Sequence, residues 1–138
     1  MLTAGHFCYG PRIATSIITC GSNPIADYEN HPKCIMVWGN NVVISNNIIV
    51  SGLGNGIDVS GSNDTVTGNT IQSNLGCGVL ISGQYHSISS NTIDSNDKCG
   101  IHFDCKNSNI TDNVIQSSLG EGVNITSGTD NIVVNNTE

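Results

Sequence analysis

The sequence predicts an all-β solenoid of about five coils, on three observations. A 22-residue unit repeats without a gap, aliphatic residues recur inside each unit at strand spacing, and Asn and Gly recur at fixed places between them. Residues 35–56, 57–78, 79–100 and 101–122 are full units, and 123–138 is a fifth that stops at its sixteenth position.

Position 1 of the unit holds Ile35, Ile57, Val79, Ile101 and Val123, and position 3 holds Val37, Val59, Ile81, Phe103 and Ile125. This alternation describes a short strand with one buried face. Ile44, Val66, Ile88, Ile110 and Ile132 at position 10, and Ile49, Ile71, Ile93 and Ile115 at position 15, each centre a further short strand. Leu53, Leu75 and Leu119 at position 19 are expected to add to the core. Position 13 is Asn throughout, Asn47, Asn69, Asn91, Asn113 and Asn135, which suits a left-handed turn residue and an internal amide ladder. Gly56, Gly78, Gly100 and Gly122 are expected to form a second turn with positive φ. Because every unit presents the same strand order in the same direction, hairpins are excluded. The chain must coil, laying each strand parallel to its copy in the next unit.

Residues 1–34 depart from the template: they hold all three Pro, three of the six Cys and an apolar stretch at 13–19. They are expected to form an irregular N-terminal cap over the open end of the stack. At the other end Val133 and Val134 leave an apolar edge, which favours a homo-oligomer, either a trimer or an end-to-end stack, or a downstream domain.

Composition narrows the functional classes. A chain of 138 residues is one domain by size, and 29 Ile plus Val against 5 Leu favour strands over helices. With four Lys plus Arg and a net charge of −7, the chain is poorly equipped to bind nucleic acid or anionic membranes. No window is long and apolar enough for a membrane span, and residues 1–10 lack the apolar core of a secretory signal. Six Cys favour an oxidising exterior, so the expected location is extracellular, cell-surface or virion.

The repeats, with the Asn-Thr-Ile turns at Asn69–Ile71 and Asn91–Ile93, resemble the pectate-lyase-like superfamily. The resemblance spans Ile35 onward and implies a right-handed single-stranded parallel β-helix. It also implies that substrate lies along the outward face of the first strand, at positions 2 and 4. Here that strip is Met36, Trp38, Asp58, Ser60, Leu80, Ser82, His102, Asp104, Asn124 and Thr126. Asp58, His102 and Asp104 are the candidate catalytic residues, as an acid and base pair or a weak divalent-cation site on a polysaccharide. Met36, Trp38, Ser60, Ser82 and Asn124 are candidate sugar contacts, with Trp38 able either to stack on a ring or to pack against a neighbouring segment. A plain solvated strand face explains the same residues.

Family lyases set an Arg or Lys beside calcium carboxylates, yet these positions carry no cation, and neither Gly-His-Gly nor Asp-Pro-His-Glu occurs. The four full units also lack inserted loops. The expectation is therefore a structural or adhesive module that self-associates and contacts glycans, with no cofactor. The alternative is a small or truncated polysaccharide lyase, hydrolase or epimerase.

Cys77 and Cys99 share position 21 in successive units, about 5 Å apart if stacked, and are candidates for a disulfide. Cys8, Cys20 and Cys34 offer one more bridge in the N-terminal segment, while Cys105 reads as a small core residue. No Cys-x-x-Cys pair marks a metal site. Tyr85 and His86 are expected in an exposed turn. Of the sequons at Asn63, Asn109, Asn124 and Asn135, the last is expected to face inward.

Overall fold

The structure, a computed structural model, describes residues 34–116 and 118–137, together with three short strands before them. Cys8 and Cys20 lie outside the described residues.

Three parallel sheets run the length of the column. The first contains β1 (His6–Phe7), β4 (Ile35–Asn40), β7 (Ile57–Ser62), β10 (Val79–Gln84), β13 (Ile101–Lys106) and β16 (Val123–Ser127). The second contains β2 (Arg12–Ala14), β5 (Val43–Ser45), β8 (Thr65–Thr67), β11 (Ser87–Ser89), β14 (Asn109–Thr111) and β17 (Ile132–Val134). The third contains β3 (Ile17–Thr19), β6 (Ile48–Val50), β9 (Thr70–Gln72), β12 (Thr92–Asp94) and β15 (Val114–Gln116). Ile57 pairs with Val79 and Val79 with Ile101, so each full coil advances the register by one unit.

The core is a set of aliphatic stacks. Ile35, Ile57, Val79 and Ile101 form one, Val37, Val59, Ile81 and Phe103 another. Ile44, Val66, Ile88 and Ile110, then Ile49, Ile71, Ile93 and Ile115, complete it, and none of these side chains exceeds 2 % exposure. β-branched side chains suit this arrangement because their restricted rotamers stack in register on a pleated surface.

The Asn ladder lies inside the column. Asn47 Nδ2 donates to Asn69 Oδ1 at 3.0 Å, Asn69 to Asn91 at 3.0 Å, and Asn91 to Asn113 at 2.9 Å. Each Oδ1 also accepts the backbone N–H of the preceding rung, as from Asn69 N to Asn91 at 2.9 Å. The left-handed residue is the one before each rung: Asn46, Gly68, Ser90 and Asp112 have φ of 57°, 65°, 55° and 56°. The turn strain falls there, which leaves the Asn free to point inward.

Gly56, Gly78 and Gly100 are not positive-φ residues, contrary to expectation. They are required by space: a Cβ on Gly78 would lie 2.5 Å from Ile93 Cγ2 and 2.9 Å from the Gly100 carbonyl oxygen. Position 19 also departs from expectation, since Leu75 is 50 % and Leu119 83 % exposed. The preceding position points inward instead, where Asn74 donates to Asn96 Oδ1 at 2.9 Å in a second buried ladder.

Two register changes escape the 22-residue template. A bulge between Phe103 and Asp104 pairs Asp104 with Ser127, so the fifth coil is one residue longer and Val133, not Ile132, pairs with Ile110. Asn113 consequently donates to Asn136, while Asn135, expected inward, is an exposed left-handed residue with φ of 55°. The segment 1–34, expected to be irregular, carries a strand of every sheet: His6 pairs with Ile35, Ile13 with Ile44 and Ile18 with Ile49. The five-residue spacing of Ile13 and Ile18 matches that of Ile44 and Ile49, but the longer stretch from Ile18 to Ile35 hides the repeat.

Cys77 and Cys99 form a disulfide with Cα atoms 4.4 Å apart, and Cys34 is disulfide-bonded to a residue outside those described. Closing a 22-residue loop restricts the unfolded chain by about 3 kcal/mol. Replacing both Cys77 and Cys99 by Ala is expected to lower urea-unfolding stability by that amount while leaving the β circular-dichroism spectrum unchanged. An undiminished midpoint would show that the bridge adds nothing to the stacked coils.

Candidate functional site

The outward face of the first sheet is ruled into rows by the parallel register. Met36, Asp58, Leu80, His102 and Asn124 form one row across the coils, and Trp38, Ser60, Ser82 and Asp104 form the next. Each strand runs to six residues in the full coils, so a third row exists: Asn40, Ser62, Gln84 and Lys106. Lys106 is exposed, which puts a cation two residues from Asp104 on a face expected to lack one. Continuing the alternation past position 4 would have found it.

Within this face the candidate residues are not equivalent. Trp38 is 59 % exposed and Asp104 is exposed, whereas Met36, Ser60, Ser82, His102 and Asn124 are half-buried. Ser60 and Ser82 hydroxyls are hydrogen-bonded at 2.9 Å. Asp58, expected at the surface, is buried at 4 % exposure, set in its row between Met36 and Leu80. His102 lies two strands away from it, about 9.6 Å at ordinary strand spacing, and Asp104 is further still. The three do not meet in one patch.

His102 and Asp104 instead engage the coil below. Thr126 Oγ1 lies 3.4 Å from His102 Nε2, and the Ser127 hydroxyl donates to Asp104 Oδ1. The bulge brings both hydroxyls to this end of the face, an effect no column of the repeat could reveal. Among the described residues, no three His, Cys, Asp or Glu side chains converge as a metal centre requires.

A titratable pair lies inside the column, where the sequence suggested an exposed turn. Tyr85 is 52 % exposed, but His86 is buried at 2 %. Its row is Val42, Asp64, His86 and Ser108, continued by Asn131, and each polar side chain caps the backbone N–H of the coil before. Asp64 Oδ1 accepts from Val42 N at 2.8 Å, His86 Nδ1 from Asp64 N at 3.2 Å, Ser108 Oγ from His86 N at 2.9 Å, and Asn131 Oδ1 from Ser108 N at 3.0 Å. His86 Nε2 lies 3.2 Å from the Ser82 carbonyl, and Asp64 Oδ2 lies 3.4 Å from His86 Nδ1. Burial raises the Asp64 pKa, opposed by the Val42 N–H and His86. Burial lowers that of His86, opposed by Asp64 and by the Ser82 and Gly61 carbonyls. In the core beside them, burial pushes the Cys105 thiol to about 12, so it stays protonated and unreactive.

Comparison with known proteins agrees with this architecture. A family model described as a right handed beta helix region matches residues 15–137. A solved structure of the Agl-KA catalytic domain matches with a TM-score of 0.61 and 20 % identity, over 89 % of this chain. The match covers 24 % of that chain, so the present sequence spans about a quarter of its length. No curated protein matches.

Proposed function

The chain belongs to the right-handed β-helix family, and from that premise we propose that it is a structural or adhesive module of an extracellular, cell-surface or virion protein, self-associating and contacting glycans through the outward face of its first sheet. The observation that carries this reading is the dispersal of the candidate acid and base groups. Glycosidase carboxyl pairs stand about 5 to 9.5 Å apart across a sugar, whereas Asp58 is buried two strands and two residues from the exposed Asp104. What the face does offer is a row of binding groups: an exposed indole, two linked hydroxyls and a carboxylate. Trp38 stacks on a sugar face, and Ser60, Ser82 and Asp104 take its hydroxyls. Ile125, Ile132, Val133 and Val134, all at least 37 % exposed, supply an apolar surface for a second copy.

A second reading, a carbohydrate-active enzyme, is favoured by the pairing of His102 and Asp104 with Thr126 and Ser127, and by a structural neighbour that is a catalytic domain. One experiment separates the two. The protein, with His102→Ala, Asp104→Ala and Trp38→Ala variants, is sized by light scattering and assayed for polysaccharide retention and product release. Assembly beyond 14.4 kDa, retention weakened about tenfold by Trp38→Ala, and no product from any variant are expected. A monomer that releases product only while His102 and Asp104 are present would establish the enzyme reading instead.

A further inference from the structure

We propose that Asp64 and His86 form a proton-binding pair that locks the corner between the first and second sheets. In the folded column one proton resides on Asp64 Oδ2 and is shared with His86 Nδ1.

The geometry asks for that proton. Asp64 Oδ2 is buried without a hydrogen-bond partner, and the nearest polar atom of the pair is a ring nitrogen 3.4 Å away. That nitrogen's one lone pair already accepts the Asp64 N–H, so a proton on Oδ2 shares the same lone pair as a second donor, and Nε2 carries the ring proton toward the Ser82 carbonyl. An ionised Asp64 would set two lone pairs against each other in a dry interior. A protonated Asp64 becomes the missing donor.

Among the described residues, the other titratable groups on the strands and turn beside this corner are Asp58 on β7, His102, Asp104, Cys105 and Lys106 on β13, and Tyr85 on the same turn. Asp104, Lys106 and Tyr85 are exposed, and among the described residues the charged neighbours acting on Asp64 and His86 are each other. The pair therefore titrates as a unit.

The linkage has a definite sign. Burial holds the Asp64 proton to higher pH in the column than in the unfolded chain, which releases it near the ordinary Asp value, about 3.9, so this contribution to stability falls as pH rises through the folded value. Burial keeps His86 neutral to lower pH in the column than in the unfolded chain, which takes up its proton near the ordinary His value, about 6.5, so this contribution falls as pH drops through the folded value. Both limbs agree with a raised Asp64 and a lowered His86.

The test compares urea unfolding of the wild type with that of an Asp64→Asn, His86→Asn double variant from about pH 4 to about pH 9. Asn suits this row because Asn131 already caps a backbone N–H there. The wild type is expected to lose up to tenfold in folding equilibrium constant per pH unit as pH rises through the folded Asp64 value, and the variant to lose that limb. Nitrogen NMR of the wild-type imidazole should show the neutral Nε2–H form throughout, a readout that survives even if the variant does not fold. Identical pH profiles for the two proteins, or an imidazolium signal at neutral pH, would overturn the proposal.

Discussion

An Asn91→Ala variant is expected to lose about 3 to 6 kcal/mol, a large share of the roughly 5 to 15 kcal/mol that stabilises a domain. Asn91 Oδ1 accepts both Asn69 N at 2.9 Å and Asn69 Nδ2 at 3.0 Å, and Asn91 Nδ2 donates to Val66 O and Asn113 Oδ1. Alanine would strand the Asn69 N–H inside the column at about 1 to 3 kcal/mol, remove the amide's own bonds to Val66 O and Asn113 Oδ1, and leave a cavity between coils. Urea unfolding followed by circular dichroism measures the loss. A decrease below about 1 kcal/mol would mean that water enters the ladder and replaces the amide.

Ile88→Asp is expected to prevent folding altogether. Ile88 is fully buried between Val66 and Ile110, so the change removes about 2 to 5 kcal/mol of apolar packing. It also places a carboxylate inside an aliphatic stack, between Val66 and Ile110, at a cost of several kcal/mol more. Thr92→Asp on the exposed face of β12 is the control, with less than about 1 kcal/mol expected. Size-exclusion profiles and β circular dichroism of the two variants decide the matter, and a cooperative unfolding transition from Ile88→Asp would show that the coils part to admit water.

How much of this was legible follows from which interactions repeat. The aliphatic stacks and the Asn ladder recur once per coil, so columns of the sequence display them directly. The same reading misassigned the left-handed residue because Asn46, Gly68, Ser90 and Asp112 have no identity in common, only a tolerated backbone shape. Asn74 and Asn96 stand beside the more conspicuous leucines of the next position, and only the backbone geometry decides which of the two points inward. His86 resembled a turn residue because its burial depends on Asp64 and Ser108 in neighbouring coils, with no repeated residue type to mark the row. The outward face was the least legible part. Its rows follow from the register, but the burial of Asp58 and the bulge opposite Asp104 arise from single departures from the repeat.

The parallel register has a mechanical side. The ladder bonds of every strand reach the coil above or below, and none ties a coil to itself. Tension applied along the axis therefore meets one coil's bonds at a time, like adhesive tape drawn from a roll. Each coil stores 22 residues, roughly 75 Å of extended chain, in about 4.8 Å of height. The Cys77–Cys99 bridge interrupts that reserve by clamping two adjacent turns, leaving the remaining length to be paid out on either side of a fixed knot.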